Sequence, residues 1–296
     1  MSQLPFSIIE APSNLGLKPT GVSRLPDALR EAGFHDKLAA KLAARVPAPE
    51  FNSQRDPNTH LLNGDAIAAY ARSLAKVVAP VIKSGQFPII LGGDCSIMLG
   101  SLLALRRLGR YGLFFLDGHP DFCLPENDAV GEMASMDLAI ATGRGAELVS
   151  NIDNLRPLVR EEDTVVFGYR DGEETEGIGE NHLNNTLIFA QKLDRLRKTG
   201  VERAAKEALD WLLQKPLDGI WIHLDVDVLD DAVMPAVDYR MPGGMSFKEL
   251  TAVLQVLMAS PKTVGIEITI FNPSLDPDGA IARSLTQCLT DGLIEH

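Results

Sequence analysis

The stretch YGLFFLDGHPD, Tyr111 to Asp121, decides the fold. It opens as an apolar run of strand length and ends as an acidic cluster around one histidine. Two other stretches have the same build. FPIIL (87–91) runs into Gly92-Gly93-Asp94-Cys95-Ser96, and GIWIHL (219–224) runs into Asp225-Val226-Asp227-Val228-Leu229-Asp230-Asp231. Short runs that stay apolar without alternating read as strands buried on both faces, the habit of a parallel sheet covered by helices. In open parallel sheets ligands sit at the carboxyl ends of the strands. The three clusters are therefore expected to meet on one edge. Carboxylates gathered there repel one another and lose hydration, which is costly unless they are paired. No comparable set of Lys or Arg lies beside them in the sequence. A bound divalent cation is the simplest compensation, and two fit better than one.

The spacing of D-x-H-x-D has a direct reason. At an extended strand end, residues two apart face the same side. Asp117, His119 and Asp121 can then enter one pocket, and Asp225 and Asp227 share a side by the same rule. A mixed carboxylate and imidazole set suits Mn²⁺, Fe²⁺ or similar ions.

The rest of the chain supports a small-molecule site. With 28 Lys and Arg against 40 Asp and Glu, the 296 residues carry a formal charge of −12, which argues against nucleic acid. The field suits a small cationic substrate or a metal ion. Hydrophobic residues make up 45%, enough for a sizeable core. Three cysteines, Cys95, Cys123 and Cys288, in no CxxC arrangement, fit a reducing compartment. The N-terminal residues lack a signal-peptide pattern and no apolar run reaches membrane-spanning length, so a cytoplasmic protein with no membrane partner is expected. Neither G-x-x-x-x-G-K nor GxGxxG is present.

Between the strands lie amphipathic stretches, which makes the pattern one of βα units. Strands are expected at 6–10, 87–91, 111–116, 164–167, 186–190, 219–224 and 264–270. Helices are expected at 26–44, 63–84, 96–108, 134–142, 201–213, 246–258 and 281–294. In the second helix, Ile67, Tyr70, Ala71, Leu74, Val77, Val78 and Val81 recur at spacings of three and four. Residues 45–60 read as a surface loop. Glu173, Glu174, Glu176 and Glu180 read as a solvated acidic loop. No composition shift marks a boundary, so residues 1–296 read as a single domain.

Taken together, GGDCS (92–96), DGHPD (117–121), DVD (225–227) and IFNPSLDPDG (270–279) resemble the ureohydrolase (arginase/agmatinase) family. That family carries G-G-D-H-S, D-A-H-A-D, a D-x-D after an apolar strand and a late N-P segment. The resemblance implies a three-layer α/β/α fold with a mostly parallel central sheet. It also implies a dinuclear site, usually manganese, and commonly a trimer or hexamer. Carried over, the metal ligands are Cys95 in the family's histidine position, Asp117, His119, Asp121, Asp225 and Asp227. Asp121 also accepts a hydrogen bond from a metal-bridging hydroxide. Gly168-Tyr169-Arg170-Asp171 looks like the family's G-x-R-D, which puts Asp171 among the groups that bind the substrate tail. The implied reaction is attack of hydroxide on the carbon of a guanidino or related amidine group, with release of urea or an amide and an amine.

Three positions depart from the family pattern. Cys95 is a soft ligand that shifts the preference toward Zn, Fe, Co or Ni; alternatively it is a buried small residue. The family's H-G-x-P-L-A aligns with Ala134-Ser135-Met136-Asp137-Leu138-Ala139, so Ala134 holds the histidine position. Glu132 is either a substitute carboxylate or a helix-start glutamate. The family's E-x-N-P glutamate, which holds the guanidinium, falls on Ile270, and Glu267 should face away from it in a regular strand. These replacements point away from arginase or agmatinase activity itself. They also leave a second reading, a non-catalytic or regulatory relative with a degraded metal site. His223 shares the face of Asp225 and is expected either to support the ligands or to pack against a neighbouring layer. Trp211 and Trp221 are expected in the core.

Overall fold

The computed structural model describes residues 4–172, 176, 177, 179 and 182–294. The strands are β1 (Phe6–Glu10), β2 (Lys41–Arg45), β3 (Phe87–Leu91), β4 (Tyr111–Leu116), β5 (Thr164–Phe167), β6 (Phe189–Gln191), β7 (Gly219–Asp225) and β8 (Thr263–Thr269). The helices are α1 (Leu25–Glu31), α2 (Phe34–Lys37), α3 (Gly64–Lys83), α4 (Met98–Leu108), α5 (Asp137–Ala141), α6 (Glu147–Ser150), α7 (Leu193–Thr199), α8 (Val201–Leu213), α9 (Phe247–Met258) and α10 (Ala280–Leu293). All eight strands pair in parallel in one sheet, in the order β2-β1-β3-β8-β7-β4-β5-β6.

The unbroken apolar runs are explained by a core on each side of the sheet. In β4, Phe114 and Leu116 face one core and Leu113 and Phe115 the other. The first core is completed by apolar faces of α1, α8, α9 and α10, and the second by α3, α4 and α5. This is the expected three-layer α/β/α arrangement. Trp221 on β7 is wholly buried, and Trp211 is half-buried with its ring stacked on Phe189.

Two segments differ from the sequence reading. The expected helix over 26–44 stops after α1 at Gly33, whose φ of +83° suits glycine. The chain then makes the single turn of α2 and returns as β2, an edge strand beside β1. KLAAR is mostly exposed and made of helix-forming residues, so no local signal announced a strand. The strand expected over 264–270 ends at Thr269, and Ile270 has a φ of +74°. The short helices α6 and α7 also went unread. Glu176 is buried, paired with His182 at 3.2 Å and with Lys192, which corrects its reading as solvated. Glu173, Glu174 and Glu180 lie outside the described residues.

Candidate metal centre and active-site cavity

Strands β3, β8, β7, β4 and β5 are neighbours in the sheet, and because all are parallel their carboxyl ends lie on one edge. The segments GGDCS, IFNP, DGHPD and GYRD follow four of those ends directly, and DVD starts on the last residue of β7. One glycine is indispensable to this assembly. A Cβ on Gly93 would lie 1.6 Å from the backbone oxygen of Ser13, so only glycine lets the turn after β3 pass the segment after β1.

The acidic side chains come together, although not on the extended backbone expected: Asp225 caps a 3₁₀ turn (Val226–Val228) that carries Asp227, and residues 117–121 lie beyond the strand. Asp117, Asp121, Asp225 and Asp227 are all buried. His119 Nδ1 lies 2.9 Å from Asp227 Oδ2 and 3.7 Å from Asp117 Oδ1. Ligand atoms of Asp117, His119 and Asp227 lie within 4.8 Å of one another, and so do those of Cys95, Asp117 and Asp225. Cys95 Sγ donates to Asp225 Oδ2 at 3.0 Å. Backbone amides fix the carboxylates: His119 N donates to Asp117 Oδ1, Gly118 N to Asp227 Oδ1 and Asp227 N to Asp225 Oδ1. Asp121 holds a φ of +43°, an uncommon conformation for a non-glycine residue.

The electrostatics are those of a site built for cations. Burial, then repulsion from Asp227, pushes Asp117 up to about 6. Burial and neighbouring carboxylates hold Asp121 and Asp225 well above the usual range. Burial disfavours the charge on His119, but Asp227 and Asp117 outweigh it and raise the ring to about 11. For Asp227, burial is outweighed by His119, and the carboxyl falls below its ordinary value. Asp117 Oδ2 is buried with no hydrogen-bond partner among the described residues. A set of buried carboxylates, one imidazole and one thiol, with an orphaned oxygen among them, fits one or two divalent cations.

A cavity of about 300 Å³ opens above this floor, with His119, Asp121, Asp225 and Asp227 in its lining. Glu132 and Asp171 line its wall. Glu132 is buried, and its Oε2 accepts from Tyr239 Oη at 2.6 Å, while Lys18 Nζ stands 3.5 Å from Oε1. It stands at the N-terminal cap position of a short 3₁₀ turn, as the helix-start reading expects, but its side chain makes no capping hydrogen bond and faces the cavity instead. Asp171 Oδ2 lies 3.8 Å from His119 Nε2. Ala134 and Ile270 line the same cavity as apolar surface. Glu267 is turned away, toward His223 Nδ1 at 2.9 Å and Ser101.

Three groups escaped the sequence reading. Arg170 threads its guanidinium into the loop after β7, donating to the carbonyls of Asp227, Leu229 and Met241 at 2.9–3.1 Å. Tyr239 sits on an irregular segment with no local signal. Asp137 is buried although charged, and its one signal was a lone carboxylate inside the otherwise apolar ASMDLAIA.

Comparisons agree with this geometry. A family model described as "Arginase family" matches residues 5–293. An arginase of Staphylococcus aureus is 30% identical over 290 residues, covering 94% of this chain and 93% of that protein. An arginase of Brevibacillus brevis is 30% identical over 286 residues, covering 94% of each. The arginase structure from Bacillus caldovelox superimposes with a TM-score of 0.91 at 27% identity over 99% of both chains. These relatives are all named arginase, so the expectation that the replacements set this chain apart from arginase finds no support here.

Proposed function

The chain belongs to the arginase family, and from that premise we propose that it hydrolyses a C–N bond in a linear guanidino or amidine compound. One observation carries the reading: five ligand-type side chains from two separate strand ends gather at one place, four of them lining an acidic cavity and Asp117 buried beside them. Asp117, His119, Asp121, Asp225 and Asp227, with Cys95 at the border, are the residues to hold two divalent cations. Manganese is the family choice, and the thiol also favours Zn, Fe, Co or Ni. Cations held there supply a water activated for attack at neutral pH.

The chain's own groups do the rest. Asp121 accepts a proton from the attacking water. The new C–O bond forms at the planar carbon, the C–N bond breaks, and the proton passes to the leaving amine. Glu132 and Asp171 pair with the cationic substrate. A cationic substrate group would displace exposed Lys18 from Glu132, whose other oxygen stays with Tyr239. Ile270 offers an apolar contact where the family pattern has a glutamate. Residues 1–296 act as one unit, in the cytoplasm, as a homo-oligomer of three or six chains.

The test is release of urea or ammonia by purified protein loaded with Mn, Zn, Fe, Co or Ni. The panel is headed by L-arginine and agmatine and extended to linear amidines. Turnover of at least one member is expected. Silence with every metal and substrate overturns the reading. Cys95, Ala134 and Ile270 favour a second reading, an arginase-fold protein that binds a ligand without turning it over. That reading requires less than one metal per chain after Mn incubation.

A further inference from the structure

Beneath the cavity floor lies a second group of ligand-type side chains, Cys95, Asp137 and His223, whose ligand atoms are within 4.8 Å of one another. Cys95 begins the 3₁₀ turn after β3, Asp137 begins α5, and His223 is on β7. All three are wholly buried. Asp137 and His223 have no part in the proposed metal pair; the thiol is shared, and Asp225 stands between the two groups.

The state of these side chains points to a ligand. Both carboxylate oxygens of Asp137 are buried with no side-chain hydrogen-bond partner among the described residues, the backbone amide of Leu138 being the one donor beside them, and Nε2 of His223 is buried with none. The His223 ring is held in place, stacked on Phe115 with centroids 4.7 Å apart and planes 10° apart. Its Nδ1 lies 2.9 Å from Glu267 Oε1, and Glu267 Oε2 accepts from Ser101. An imidazole that gives its Nδ1 proton to a carboxylate presents a free lone pair on Nε2. Metal-binding histidines are oriented this way by an outer carboxylate.

We propose that Cys95, Asp137 and His223 form a further cation site below the family pair, selective for a borderline divalent ion such as zinc. One thiolate, one carboxylate and one imidazole make a mixed S, O, N set of the kind zinc takes at tetrahedral centres. The two anionic donors balance one divalent charge, which suits a buried position. Asp225 Oδ2 and Thr269 Oγ1 lie 3.0 and 3.2 Å from Cys95 Sγ and are at hand for a fourth position. Three donors on one ion lie about 3.3–3.8 Å apart, given bonds of about 2.0–2.3 Å.

The experiment is anomalous diffraction from crystals of the full chain grown with Zn²⁺. The expected result is a peak within about 2.0–2.3 Å of Cys95 Sγ, one Asp137 oxygen and His223 Nε2. In solution, Co²⁺-loaded Asp137→Asn and His223→Gln should each hold one cobalt fewer per chain and lose or weaken the thiolate-to-cobalt absorption. Asp227→Asn should lose metal yet keep that absorption. Anomalous density confined to the outer carboxylates overturns the proposal and leaves Asp137 holding a proton. Undiminished cobalt content in both variants overturns it as well. The diffraction result needs no mutant to fold and no turnover, so it stands apart from the fate of the proposed hydrolase activity.

Discussion

Two replacements at the cavity carry opposite consequences for chemistry and for selectivity. Cys95 meets Asp225 at 3.0 Å and belongs to both ligand groups, so its softness should govern which ion the protein keeps. Cys95→His is expected to raise Mn²⁺ occupancy and lower Zn²⁺ occupancy, measured by elemental analysis after competitive loading. An unchanged ratio means that the thiol ligates neither ion. Ile270 is a β-branched residue at a φ of +74°, a conformation that costs on the order of 1–3 kcal/mol, and Ile270 N is tied to Gly93 O at 2.8 Å. That strained turn aims the side chain at the cavity. Ile270→Glu returns a carboxylate to that lining and should raise kcat/KM for a guanidino substrate by about tenfold, about 1.4 kcal/mol. Steady-state kinetics read this directly, and an unaltered or lowered kcat/KM contradicts it. The clustering of the aspartates and His119 was legible in the sequence, but the extended backbone assumed for it was not what brings them together: Asp225 caps a 3₁₀ turn that contains Asp227, and Asp121 has a φ of +43°. Asp137 and Tyr239 were not legible, since each reaches its position through tertiary packing that no local pattern encodes.

Elements position these residues, and most were legible where an element is buried on two sides. β3, β4 and β7 announced themselves because both faces of each strand meet a helix layer, so their positions are apolar except for His223 and Asp225 on β7. β2 lacks that constraint at the sheet edge, and its pairing with β1 overrides a helical propensity. The clearest helix boundary is α9, where Ser246 and Glu249 form a reciprocal capping box. Ser246→Ala should cost about 1 kcal/mol, or roughly 2–4 °C in Tm, with metal content unchanged. Thermal melts and elemental analysis on one sample check both halves. At the other extreme stands the turn after β3. Gly93→Ala would push a methyl group into the Ser13 carbonyl, so the variant should be poorly folded and unable to hold metal. A normal melt with full metal content contradicts the packing described here.

For the molecule as a whole, the site sets how stability responds to pH and to metal. Burial pushes Asp117 up to about 6 in the folded protein, and burial with the neighbouring carboxylates also raises Asp121 and Asp225 well above their ordinary 3.8. Groups raised in this way contribute stability that is complete below the unfolded value and lost as pH rises through the folded one. His119, raised from 6.5 to about 11, acts in the same sense at higher pH. Asp227, lowered, acts only at the acid end. Protein stripped with a chelator should therefore lose this contribution as pH climbs above about 4. Metal-loaded protein should show the opposite trend, because cations need the carboxylates ionised and stabilise by about 2.7 kcal/mol at a hundred times Kd. Parallel melts from pH 5 to 8, with chelator and with Mn²⁺, test this; matching pH trends would contradict it. The central claim, that carboxylates from separate strand ends share inorganic cations, is tested most directly by metal stoichiometry after incubation and exhaustive dialysis. The account predicts at least one tightly held divalent ion per wild-type chain and a clear loss in Asp225→Asn. A wild-type chain that retains none, or an Asp225→Asn chain that retains as many, contradicts it.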